Sequence, residues 1–253
     1  MNLVRIFAQQ GMRVFSLEDA LEALKEQNIS DSYSKKILHV MGKKGDLEPL
    51  GKGLYALPAE FLAGGPLHSF EIAMKLVKKG AISHRSALFF HNFTDQMMHS
   101  VYITVPRCEG ANLSIRNQYK IQNTNFYIRR VAAENFFGIK RFFIGEASVW
   151  ITDIEKTLLD GLAAPKLCGG FREVMHAFSE AIDKIDANTL WGYAQKMPTV
   201  ISKRAGWIFE KMDCFPELQA QLESIPTKTI QKLNQTGLRR GITHKRWMVM
   251  ENF

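Results

Sequence analysis

Gly51-Lys52-Gly53 separates two short apolar runs, 47–50 and 54–57, and follows two helix-like stretches. The triplet has two readings. It is either a phosphate-cradling loop, with glycines baring backbone N–H groups and Lys52 supplying charge, or a tight hairpin. A P-loop requires Gly, four residues, then Gly-Lys-Ser/Thr opening a helix. Here Gly45 lies one residue too far from Gly51, Gly53 stands where the hydroxyl belongs, and a strand-like run follows. Spacing, magnesium ligand and succeeding element all fail. The stretch therefore reads as a hairpin whose glycines supply the positive φ of a tight turn.

What precedes the hairpin gives it a context. A helix is predicted over 3–10 and a short strand over 12–15. Ser16-Leu17-Glu18-Asp19 has the form of a capping box with Asp in place of Glu or Gln, and Leu17, Ala20, Leu21 and Leu24 then recur at helical spacing. After a polar break, a second helix is predicted over about 31–42. Its pattern assigns Tyr33, Ile37, Val40, Met41 and Lys44 to one face, and Ser32, Lys35, Lys36, His39 and Lys43 to the other. Helix, strand, helix, helix, hairpin is the order of a winged helix-turn-helix, here spanning 1–60. In that arrangement Ser32, Lys35, Lys36 and His39 read bases or phosphates in the major groove, while Lys43, Lys44 and Lys52 hold backbone phosphate. The alternative is a solvated lysine face, since Glu18, Asp19, Glu22 and Glu26 on the preceding helix nearly cancel the local charge.

Residues 61–66 read as a linker, and 67–253 as a second domain. Helical patterns at 69–79 and 84–91 lead into strand-like runs at 100–105, 119–121, 126–131, 141–144 and 148–151. Helices are predicted at 154–162, 171–183, 188–195 and 200–212, and a last strand at 245–250. The fold class expected is α+β, with a strand-rich middle and a helical C-terminal part. The chain carries a net charge of +8, and much of that surplus lies in this second part. Arg107, Arg116, Arg129 and Arg130, and separately Arg239 and Arg240, are candidates for a second anionic contact.

No apolar run approaches the length of a membrane span, and Gln9 and Gln10 interrupt what a secretory leader would keep apolar. Cys108, Cys168 and Cys214 are widely spaced and odd in number, which fits a reduced cytoplasmic protein and neither a disulfide framework nor a zinc finger.

Six stretches, "GKGLYALP", "AISHRSALFFHNFTD", "VYITVP", "VWITDIEKTLLDGLAAPKLCGGFREV", "SKRAGWIFEKM" and "KRWMVMENF", resemble the AbiEi family in order and spacing along nearly the whole chain. These are antitoxins and transcriptional regulators of type IV toxin–antitoxin, abortive-infection systems. The segment 151–174 is the most specific part of the likeness. The resemblance implies a winged helix that binds repeats upstream of its own operon. It also implies a C-terminal antitoxin domain that counters a nucleotidyltransferase toxin without requiring direct contact. It implies neither an enzyme nor a cofactor. One departure is the N-terminal "FSLEDALEAL", where members often carry a Thr-x-x-x-Ala pattern; the DNA sequence read would differ accordingly.

The chain's chemistry-bearing residues admit other readings beside that likeness. Asp153 and Glu155, with Asp160, suggest a metal-dependent nuclease or nucleotide-modifying site. On one helix, however, Glu155 and Asp160 are separated by about 500° of rotation, and Asp153 is better placed as an N-cap. His84, His91 and His99 are poorly spaced for chelation, and Ser83 reads as the cap of a helix beginning at His84. Cys108 beside Arg107 reads as a loop cysteine. Leu167-Cys168-Gly169-Gly170 reads as a turn restarting a helix, with anion binding the sharper alternative. Lys203-Arg204 opens a helix against its dipole, which hints at a partner.

Overall fold

A computed structural model describes residues 3–51, 53–62, 64–77, 79–107, 117–235 and 237–253. Lys52, Cys108 and Arg116 lie outside the described residues. The chain begins α1 (Leu3–Gln9), β1 (Val14–Ser16), α2 (Leu17–Lys25), α3 (Asp31–Lys44), β2 (Glu48–Gly51), β3 (Leu54–Ala56). The Ser16 capping box forms as the sequence predicts. Ser16 Oγ accepts from the Asp19 amide at 3.1 Å, and Asp19 Oδ2 accepts from the Ser16 amide at 2.9 Å. Gly45 ends α3 in the left-handed region. The three strands form an antiparallel sheet in the order β1-β3-β2, and Gly51 and Gly53 both hold positive φ, as the tight turn demands. Phe7, Phe15, Leu24, Leu38 and Leu47 are fully buried beneath it.

The middle of the chain runs α4 (Ser69–Leu76), β4 (Ala81–Ile82), α5 (His84–Phe90), β5 (Ser100–Pro106), β6 (Gln118–Ile121), β7 (Thr124–Val131), β8 (Ile139–Ile144), β9 (Ala147–Thr152). These strands build a six-stranded mixed sheet in the order β6-β7-β5-β4-β9-β8. Pairs β5–β7 and β4–β9 are parallel, and the others antiparallel. One face is apolar: Val101, Ile103, Val105, Phe126 and Ile128 pack with Phe70, Ile72 and Ala73 of α4. Val14, Leu50, Leu54 and Ala56 of the N-terminal sheet belong to that same core. A largely buried ion pair from Arg13 to Glu71, at 2.9 Å, and one from Lys75 to Asp19, at 3.0 Å, cross the stretch read as a linker.

The C-terminal part comprises α6 (Ile154–Ala163), α7 (Phe171–Ala181), α8 (Ala187–Ala194), α9 (Thr199–Lys211) and α10 (Pro216–Ser224), followed by β10 (Gln231–Lys232), β11 (Ile242–His244) and β12 (Val249–Glu251). The helices enclose Leu158, Leu162, Phe178, Ile208 and Phe209, and the small sheet, ordered β10-β12-β11, closes over α9 with Trp247 buried beneath it. The class is α+β, as predicted. The last strand is shorter than the predicted 245–250, because residues 245–248 turn, with Met248 at positive φ and the Trp247 indole N–H donating to Glu210 at 2.8 Å. Among the described residues no helix is long and apolar enough to cross a membrane.

Candidate nucleic-acid interface

α3 begins after Ser30, whose extended backbone marks the cap position, although its side chain makes no capping bond. Asp31 sits in the first turn, and Lys43 and Lys44 in the last, each the sign the helix dipole favours. The buried stripe is Ser34, Leu38 and Met41, with Ile37 beside it. This corrects the predicted apolar face. Tyr33 is 56% exposed and Val40 is 40% exposed, because the core formed by α1 and α2 meets the helix about one residue further round than the sequence pattern suggested. Ser32, Lys35, Lys36, His39, Lys43 and Lys44 are all exposed. None of these four lysines forms an ion pair among the described residues. The hairpin is fixed to the helix pair by the Leu17 amide, which donates to the Gly53 carbonyl at 2.7 Å.

Of the arginines singled out for a second anionic contact, Arg107, Arg129 and Arg130 line one cavity at the β5–β7 end of the large sheet. Arg239 lines a different hollow, with Arg204 and Lys232, and Arg240 is exposed on the same C-terminal segment. Of the five that lie among the described residues, the structure thus brings three together and places Arg239 and Arg240 elsewhere.

The candidate catalytic carboxylates are each engaged internally. Asp153 caps α6 by accepting from the Lys156 amide at 3.0 Å, and its second oxygen accepts from the Tyr193 hydroxyl at 2.9 Å. Burial, and then that bond to Asp153, push the Tyr193 phenol up. Glu155 accepts from the Asp186 amide at 2.8 Å, and Asp160 pairs with Lys156 one turn before it. The histidines do not converge. His91 Nε2 donates to the Thr152 carbonyl at 2.8 Å, His99 is exposed, and His84 is buried against Arg129. No cluster of three metal-ligating side chains occurs among the described residues.

Two further readings change. Ser83 occupies the cap position of α5 but makes no capping bond; its hydroxyl instead joins His84 Nδ1 and Thr104 Oγ1, each at 2.8 Å. Lys203 and Arg204 are buried, and their partner is the chain itself. Lys203 Nζ donates to the carbonyls of Leu222 and Glu223 at the end of α10, and Arg204 donates to those of Leu162 and Lys232. A cation near the start of α9 thereby serves the C-terminus of another helix, where positive charge is favourable. Gly169 and Gly170 both hold positive φ between the 3-10 turn Pro165–Cys168 and α7, as a turn restarting a helix requires.

No family model matches the chain, and no curated protein matches it. The α+β class does have a counterpart among solved structures. The crystal structure of the RV2827C protein from Mycobacterium tuberculosis is similar with a TM-score of 0.69 over 98% of this chain and 89% of that one, at 13% sequence identity. At that identity the likeness is one of fold alone.

Proposed function

We propose that this chain is a DNA-binding autoregulator and antitoxin of the type IV kind, in keeping with its resemblance to the AbiEi family. The observation that carries the reading is α3: buried along 34, 38 and 41, it leaves Ser32, Lys35, Lys36, His39, Lys43 and Lys44 exposed and free of internal ion pairs among the described residues. Unpaired cations on one helix supply the counterion-releasing contacts of DNA binding. Exposed Tyr33 and Val40 on the same helix supply apolar surface suited to a thymine methyl. In this reading residues 1–60 form the winged helix, with Lys52 assigned to the backbone phosphate. Residues 67–253 counter a nucleotidyltransferase toxin, and double-stranded promoter DNA with inverted repeats is the direct partner.

A gel-shift titration on the DNA upstream of the gene, with excess nonspecific competitor at two salt concentrations, tests the first half. A shift that survives competitor supports an autoregulator. A shift seen only at low salt and lost to competitor overturns it. Growth rescue of cells expressing a type IV nucleotidyltransferase toxin tests the second half, and failure to rescue refutes the antitoxin role.

A further inference from the structure

The cavity that gathers Arg107, Arg129 and Arg130 is not a surface scatter of cations. It has a volume of about 580 Å³, within the roughly 300–1,000 Å³ typical of small-ligand sites. Parallel pairing of β5 with β7 sets Tyr102 opposite Tyr127 and Thr104 opposite Arg129, so alternate residues of both strands share one face. The two tyrosine rings lie 5.2 Å apart at 18°, nearly parallel and half-buried. This is the face opposite the α4 core, and α5 borders it.

Arg129 is held in an unusual way. Its NH1 lies 2.8 Å from His84 Nε2. A guanidinium only donates, so Nε2 is the acceptor and Nδ1 carries the ring proton toward Ser83. Ser83 in turn meets Thr104. Burial holds the His84 pKa down to about 4, so the imidazole is neutral. The brace therefore orients the guanidinium without neutralising it. Asp160, the carboxylate acting on His84, is taken by Lys156. Neither Arg129 nor Arg107 forms an ion pair among the described residues. A half-buried guanidinium with a neutral partner in a concave site favours an added anion. His84 also holds φ at 52°, in the left-handed region, a strain that residues at binding sites characteristically carry.

We propose that this cavity binds a nucleotide, its phosphate on Arg129 and Arg107 and its base against the Tyr102–Tyr127 pair. Phosphate alone fills a small part of the volume, and the paired aromatic rings suit a flat partner. The site is independent of DNA binding by α3, and either stands if the other fails.

The test is calorimetric titration of the full chain with AMP, CMP, GMP and UMP, with the nucleosides and inorganic phosphate as half-ligands. At least one nucleotide is expected to saturate the protein, with phosphate and the matching nucleoside each at least about tenfold weaker. Arg107→Ala and Arg129→Gln are each expected to weaken binding about tenfold. Arg107 is exposed and braces nothing among the described residues, so its variant keeps the test valid if loss of the His84 brace unfolds the other. The proposal is overturned if no nucleotide saturates up to about 5 mM, if phosphate binds as well as the nucleotide, or if Arg107→Ala binds unchanged. Displacement of the nucleotide by duplex DNA, with DNA affinity falling in Arg107→Ala but not in Lys35→Ala, would also overturn it, by making the cavity a nucleic-acid contact.

Discussion

Replacing Lys35 and Lys36 together with alanine perturbs the α3 reading at its most exposed point. Both side chains are solvent-facing and neither forms an ion pair among the described residues, so no described ion pair is lost. Surface substitutions of this kind alter stability by no more than about 0.5 kcal/mol, and alanine suits a helix. The effect on DNA binding is large by comparison. If Lys35, Lys36, Lys43, Lys44 and Lys52 each neutralise one phosphate, log affinity falls against log salt with a slope of about −4.5, and the double variant reduces it to about −2.7. Doubling the salt then costs the natural protein about 23-fold in affinity and the variant about 6.5-fold. Fluorescence anisotropy on labelled promoter DNA at several salt concentrations reads both slopes, and circular dichroism checks that the helix is intact. An unchanged slope in a folded variant refutes the placement of α3 against the phosphates. A reduced affinity with an unchanged slope assigns the two lysines to neutral hydrogen bonding instead.

Two further outcomes bear on the scaffold around the sites. Gly206 of α9 lies beneath the Trp247 indole so closely that a Cβ would overlap it. Gly206→Ala is therefore expected to lose about 1–3 kcal/mol by overpacking, despite alanine's better helix propensity, and a raised urea midpoint would contradict that. His84 has a folded pKa of about 4, below its ordinary 6.5. Its burial contributes stability that is present above the unfolded pKa and is lost as pH falls toward the folded one, about 2 kcal/mol between pH 7 and pH 5. Urea melts of the natural protein and His84→Gln at both pH values check this; an equal acid loss in the two would move the effect to other groups.

Much of the N-terminal unit was legible because its signals are local. The Ser16–Asp19 box needs only four residues to form, and Gly51 and Gly53 announce a turn wherever the chain goes. Asp153 as an N-cap is equally local. The exact buried stripe of α3 was not legible, because it depends on where Leu24 and Phe7 meet the helix, and the pattern admitted Tyr33 and Val40 equally well. Strand β4, two residues long, gives no periodicity, yet it joins β5 to β9 at the middle of the large sheet. Helix α10 has a weak apolar period, and Pro216 in its first turn is its one clear local sign.

The arginine cluster divides the two kinds of information most clearly. Sequence alone fixed that Arg107, Arg129 and Arg130 are present and face few acids nearby in the chain. Only the parallel pairing of β5 with β7, and the return of α5 across their face, decided that Arg129 rests on a buried neutral His84, 45 residues earlier. Local propensities act over a few residues through backbone sterics and hydrogen bonds. A cavity is made by side chains from distant segments, whose meeting is set by the burial of the whole core.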